Sequence, residues 1–128
     1  MSPDLKYLLY SVILAFVQML IAATAADRQL GLTALAGNRE GLPELTGVAG
    51  RARRAHLNML ENLALFSALV LIAAVAGKAN AMTALGALVF FWARLAYAVV
   101  YLAGIPWLRT LVWFVSVIGM IMIAIQLF

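Results

Sequence analysis

The sequence contains no cysteine and a single histidine, His56. Disulfides and thiolate metal sites are therefore excluded, and a histidine-based metal centre lacks its ligands. Charge is scarce as well: 11% of the 128 residues are charged, and five of them are acidic. A water-soluble domain of this length has too little charge here to cover its surface. Alternating polar and apolar segments of about ten residues are also missing, which argues against a transmembrane barrel and for helices.

What fills the sequence instead is apolar. Hydrophobic residues make up 66% of the chain, and the mean hydropathy is +1.04. Several runs reach the roughly 20 residues that cross a bilayer core. The fold class is therefore all-α integral membrane: a four-transmembrane-helix bundle forming one membrane domain over residues 1–128, with the lipid bilayer as its first partner. Spans are expected at about 5–26, 51–77, 79–104 and 106–128, with Pro106 in the first turn of the last. Lys6, an apolar run and Ala23-Thr24-Ala25 imitate a secretory signal. The uncharged run Tyr7–Ala26 is 20 residues, longer than the usual signal core, so it is expected to be a retained first span. Between the first two spans lies Asp27–Gly50, which holds five of the nine glycines and Pro43 and reads as an irregular loop.

The net charge of +4 comes from arginines that crowd the ends of spans, which fits membrane orientation and not nucleic acid. Arg28, Arg39, Arg51, Arg53, Arg54 and Arg109 belong to the first and third loops or the adjoining helix starts, against Lys6 and Lys78 on the other side. That asymmetry predicts a cytoplasmic first loop and both termini outside the cytoplasm.

The polar residues inside the spans raise the functional question. The uncharged part of the second span, Leu63–Gly77, is 15 residues, so the helix must draw Asn58, Glu61 and Asn62 into the membrane or its interface. At about 100° per residue, Arg51, Arg54, Asn58, Glu61 and Asn62 share an arc of roughly 100°, while His56 points about 160° away from Asn58. In the third span Arg94, Tyr97 and Tyr101 share one face. A turn centred on Gly77-Lys78 brings Glu61 level with Arg94, Asn58 with Tyr97 and Arg54 with Tyr101, and Arg109 starts the fourth span on the same side. Glu61 and Arg94 read either as a structural ion pair between helices or as part of a ligand site. Guanidinium, carboxylate, amide and phenol groups beside lipid suit a small zwitterionic or anionic ligand that meets an apolar partner.

The run Arg51-x-x-Arg54-Ala55-x-x-Asn58-x-x-Glu61 resembles the signature of the MAPEG family, the membrane-associated proteins in eicosanoid and glutathione metabolism. Ala93-Arg94-Leu95-Ala96-Tyr97, followed by Tyr101, resembles the family's second motif, and the resemblance covers essentially the whole chain. It implies a homotrimer with glutathione as cofactor, bound between neighbouring subunits near the cytoplasmic face. By position, Arg54, Asn58 and Glu61 would hold its polar ends, Tyr97 and Tyr101 would support it, and Arg109 would stabilise the thiolate. His56 and Asn62 align with ligand-contacting positions of some members. Asn62 stands where the leukotriene synthase branch has a tyrosine, and Leu57 where the prostaglandin E synthase branch has an arginine. Those differences withhold an eicosanoid substrate.

The resemblance thus implies a glutathione-dependent transferase or peroxidase acting on lipophilic electrophiles or lipid hydroperoxides. The alternative is a non-catalytic lipid- or partner-binding protein of the same fold. A channel or transporter is disfavoured, because Leu63–Gly77 offers Ser67 as its only polar side chain and no polar route crosses the membrane.

Overall fold

The computed structural model describes residues 1–128. Helix α1 spans Pro3–Leu30, a short α2 Leu32–Ala36, α3 Gly47–Val75, α4 Ala81–Ala103 and α5 Pro106–Ala124, and a 3-10 turn covers Ile125–Leu127. There is no strand. Helices α1, α3 and α4, and α5 with its terminal turn, are each long and apolar enough to cross a membrane.

The helix starts are encoded locally. The Ser2 hydroxyl accepts from the Leu5 amide at 3.4 Å, one residue ahead of Pro3. Asn80 and Thr83 cap α4 reciprocally, at 2.9 and 2.8 Å. Pro106 opens α5 without needing an amide partner. Helix α4 ends on Gly104, whose φ of 81° lies in the left-handed region that glycine enters without a Cβ clash.

The loop between the first two spans is shorter and more ordered than the composition suggests. Helix α1 continues about one turn past the expected end at Ala26, to Leu30, with Arg28 stabilised near the negative helix end. Helix α2 interrupts the loop, and α3 begins at Gly47, four residues ahead of Arg51. Ala49 and Gly50 are buried, so packing draws a glycine-containing stretch into the helix against its low propensity. The remaining 37–46 segment is tied to α1 by one side chain. Gln29 donates to the Glu44 carbonyl at 3.0 Å and accepts from the Thr46 amide at 3.0 Å.

Helix α1 packs on α3 and α4, and α5 packs chiefly on α4. Phe66 and Phe90 stack in the middle, 3.9 Å between ring centroids and 14° between planes, among Met59, Val70, Ala87 and Ile123. Lipid offers no hydrophobic drive for helix association, so close backbone approach matters more. Gly86 and Gly119 supply it: a Cβ on Gly86 would lie 2.6 Å from the Gly119 carbonyl oxygen, and one on Gly119 2.7 Å from that of Gly86. At the end of the bundle remote from the arginines, Lys78 donates to the Leu127 carbonyl at 2.8 Å and Asn80 to Gln126 Oε1 at 2.9 Å.

Candidate functional site

The paired bundle of α3 and α4 sets the site at its arginine-rich end. Arg51 Nε donates to the Leu102 carbonyl at 3.1 Å, capping the last turn of α4 with a cation where the helix dipole is negative. One turn deeper, Arg54 Nε donates to the Tyr101 hydroxyl at 3.1 Å. The level expected from the Gly77-Lys78 turn is met at this pair.

Tyr101 is the hub. Its hydroxyl receives Arg54, and its ring carries the Arg109 guanidinium 4.6 Å from the centroid. Tyr97 leans on it at 5.5 Å between centroids, and Arg94 lies 4.2 Å over the Tyr97 ring. Cations and aromatic faces therefore alternate along one wall, a favourable arrangement where water is excluded. Both tyrosines are buried, with Ala55, Val112 and Trp113 packed against them.

The Glu61–Arg94 ion pair is not made. Arg94, only 1% exposed, donates from Nη2 to Asn58 Oδ1 at 2.8 Å, while its Nε and Nη1 have no partner. Asn62 spends its amide on the Asn58 carbonyl and Oδ1, at 2.9 and 3.2 Å, and so orients Asn58 toward Arg94. The azimuth explains the exchange. Phe66 marks the buried face of α3, and Glu61 lies about 140° from it. The polar stripe thus straddles the edge of the bundle. Asn58 and Asn62 turn inward, while Arg54 and Glu61 are exposed on the surface of the single chain.

His56 stands apart from this wall, as its azimuth requires. It lines a cavity against α1 with Arg53, Arg39 and Ala22, and its Nδ1 is buried without a partner. Three further participants left little trace in the sequence. Gly50 lets the loop close over α3: a Cβ there would meet the Leu45 carbonyl oxygen at 2.8 Å and Arg54 Nη1 at 3.1 Å. Gln29 holds that loop, and Trp113 backs the tyrosines. Glycine recurrence in a loop, one amide near a helix end and one aromatic in an apolar run carry no distinctive spacing. No group of His, Cys, Asp and Glu stands close enough to hold a metal ion.

Chemically, the wall presents two exposed ions of opposite sign, Arg54 and Glu61, and the half-buried Arg109 on one edge of a membrane helix bundle. The class is thus a four-helix integral membrane protein with a polar wall at one end of its helix bundle. More particularly, the sequence profile of the MAPEG family matches residues 7–128, nearly the whole chain, and the protein belongs to that family. No curated protein and no solved structure matches it.

Proposed function

We propose that this protein is a glutathione-dependent transferase or peroxidase for lipophilic electrophiles or lipid hydroperoxides. The observation that carries the reading is the convergence of Arg54 and Arg109 on Tyr101, with Glu61 exposed about two turns along the same edge. The donor set fits a tripeptide that bears two carboxylates and an ammonium group. Arg54 offers a guanidinium fork to a carboxylate, and Glu61 a carboxylate to the ammonium. Asn58 and Asn62 act through Arg94, holding the inner part of the wall, and Tyr97 and Tyr101 set the positions of the cations.

Bound glutathione supplies a thiol nucleophile. Arg109, seated on the Tyr101 face near the start of α5, places positive charge beside that thiol and favours its ionised form. The site is open on one side in a single chain, which agrees with a homotrimer in which a neighbour closes it. His56, turned to α1, would reach the ligand only across such an interface. In the bilayer, the basic asymmetry puts the site near the cytoplasmic face and both termini on the other side.

Isothermal calorimetry on detergent-purified trimer tests the reading. Arg54→Ala and Glu61→Gln should each weaken glutathione binding by about 1–3 kcal/mol, the scale of a charge-assisted hydrogen bond. Retention of the wild-type affinity by both variants sinks it.

A further inference from the structure

The α4–α5 turn decides where Arg109 stands, because α5 itself does little to hold it there. Buried positions of α5 begin at Ser116, about 10 Å along the helix from Arg109. Among residues 106–111 only Arg109 is even half-buried, and the others are exposed on the single chain. The Tyr101 face attracts its guanidinium at 4.6 Å, but a ring face does not fix the direction of a cation as a hydrogen bond does. The remaining constraint is the start of α5. Two residues, Gly104 and Ile105, separate α4 from Pro106, and the Arg109 amide donates to the Ile105 carbonyl at 3.3 Å. A shift of the turn therefore becomes a shift of Arg109.

That turn is tied down from α3. The Gly104 amide donates to the Val100 and Tyr101 carbonyls at 3.1 and 3.0 Å, and the Ile105 amide to Val100 at 3.3 Å. The Leu102 carbonyl is one of those a helix end leaves without a backbone donor, and Arg51 Nε takes it at 3.1 Å. Arg51 also lies along the turn. A Cβ on Gly104 would meet its Nε, Cδ and Cζ at 3.6, 3.7 and 3.8 Å, so the side chain packs over a residue that has none. One turn further along α3, Arg54 holds the Tyr101 hydroxyl. Two arginines of one helix thus fix the ring beneath Arg109 and the turn that delivers Arg109 to it. An arginine that served only as an interfacial anchor would extend into water and headgroups. Arg51 is half-buried and turned back onto α4.

We infer that Arg51 is a positioning residue for Arg109: by binding the end of α4 to α3 it holds the α4–α5 turn, and so the Arg109 guanidinium, beside the glutathione thiol. This role rests on the glutathione reading above and adds to it a residue that acts through the turn and not on the ligand.

Thiolate absorbance, glutathione affinity and turnover with a chlorodinitrobenzene electrophile, all on detergent-purified protein, test the role. In Arg51→Ala the thiolate band should fall toward the level of free glutathione, whose thiol ionises around pKa 8.5. The kcat should drop roughly 10- to 100-fold, the scale of a misplacement of about 1 Å. Glutathione affinity and KM should stay within about twofold of wild type, because no ground-state contact is lost. Arg51→Gln separates position from charge. Its amide N–H lies as far along the side chain as Arg51 Nε and reaches the Leu102 carbonyl without a charge, so band and kcat should return to near the wild-type level. Gly104→Ala strains the same turn at its φ of 81° with Arg51 in place, and should lose the band as Arg51→Ala does. Helical circular dichroism checks folding of each variant.

An undiminished band in Arg51→Ala, or in Gly104→Ala if Arg51→Ala fails to fold, overturns the role. An Arg51→Gln as defective as Arg51→Ala assigns Arg51 a direct electrostatic effect on the thiol and overturns it too. So does a loss of glutathione affinity in Arg51→Ala matching that of Arg54→Ala, which would make Arg51 a ligand contact. Wild-type protein without glutathione binding is a separate result: it removes the glutathione reading itself, and this role with it.

Discussion

Replacing Asn58 with alanine removes the only acceptor of a cation buried in the bundle. Arg94 makes one hydrogen bond, from Nη2 to Asn58 Oδ1 at 2.8 Å, and two of its nitrogens already lack partners. A hydrogen bond to a charged group contributes about 1.5–3 kcal/mol, and this donor is 1% exposed, so water cannot take over the role without opening the helix pair. The Tyr97 face at 4.2 Å remains, worth up to about 2 kcal/mol when desolvated. Asn62 keeps its bond to the residue-58 carbonyl. Asn58→Ala should therefore destabilise the chain by about 1.5–3 kcal/mol. In an Arg94→Met background the same change should cost less than about 1 kcal/mol, because an apolar side chain needs no acceptor. Arg94→Met by itself should be close to neutral, as often happens when an incompletely paired buried charge becomes apolar. Unfolding in mixed micelles with increasing dodecyl sulfate, followed by tryptophan fluorescence, supplies the four corners of the cycle. Equal costs of Asn58→Ala in the two backgrounds would refute the reasoning. So would a coupling of Arg94 to Glu61→Gln in its place, since Glu61 is exposed and should show none.

Two further changes probe the frame around the site. Gly86→Ala should destabilise by about 1–3 kcal/mol through overpacking, because the new Cβ would lie 2.6 Å from the Gly119 carbonyl oxygen; thermal unfolding in detergent measures it, and an unchanged midpoint contradicts the backbone contact. Gln29→Ala should release the 37–46 segment with little effect on the spans, losing two hydrogen bonds of about 1 kcal/mol each. Amide hydrogen exchange should quicken in that segment alone.

Four spans were readable because continuous apolar runs have one solution in lipid: backbone groups must be satisfied within each segment. The shared level of Arg54 and Tyr101 was also readable, since a tight turn leaves little freedom in register. The partner of Arg94 was not. A helical wheel places Glu61 and Asn58 in one arc, but which edge of that arc turns inward depends on where α1 and α4 press against α3. Phe66 and Met59 decide it, and they are apolar residues among many. The loop was misjudged for a related reason. Glycines at 47 and 50 argue for irregular chain, whereas the burial of Ala49 and Gly50, the latter against the Leu45 carbonyl, makes them helical. Gln29 and Arg51 act through hydrogen bonds to backbone carbonyls or amides, and no spacing announces such contacts.

The central claim is that the wall around Tyr101 holds glutathione with its thiol beside Arg109. The ultraviolet difference absorbance of the thiolate, recorded on mixing glutathione with the purified protein near neutral pH, tests it most directly. Free thiols ionise around pKa 8.5, so little thiolate exists at that pH without help. The account predicts a thiolate band that titrates with protein and is lost in Arg109→Ala while most of the binding remains. A wild-type protein that binds glutathione without the band would remove Arg109 from its role. A wild-type protein that binds no glutathione at millimolar concentration would contradict the whole account and leave Arg94, Asn58 and the tyrosines as a purely structural network.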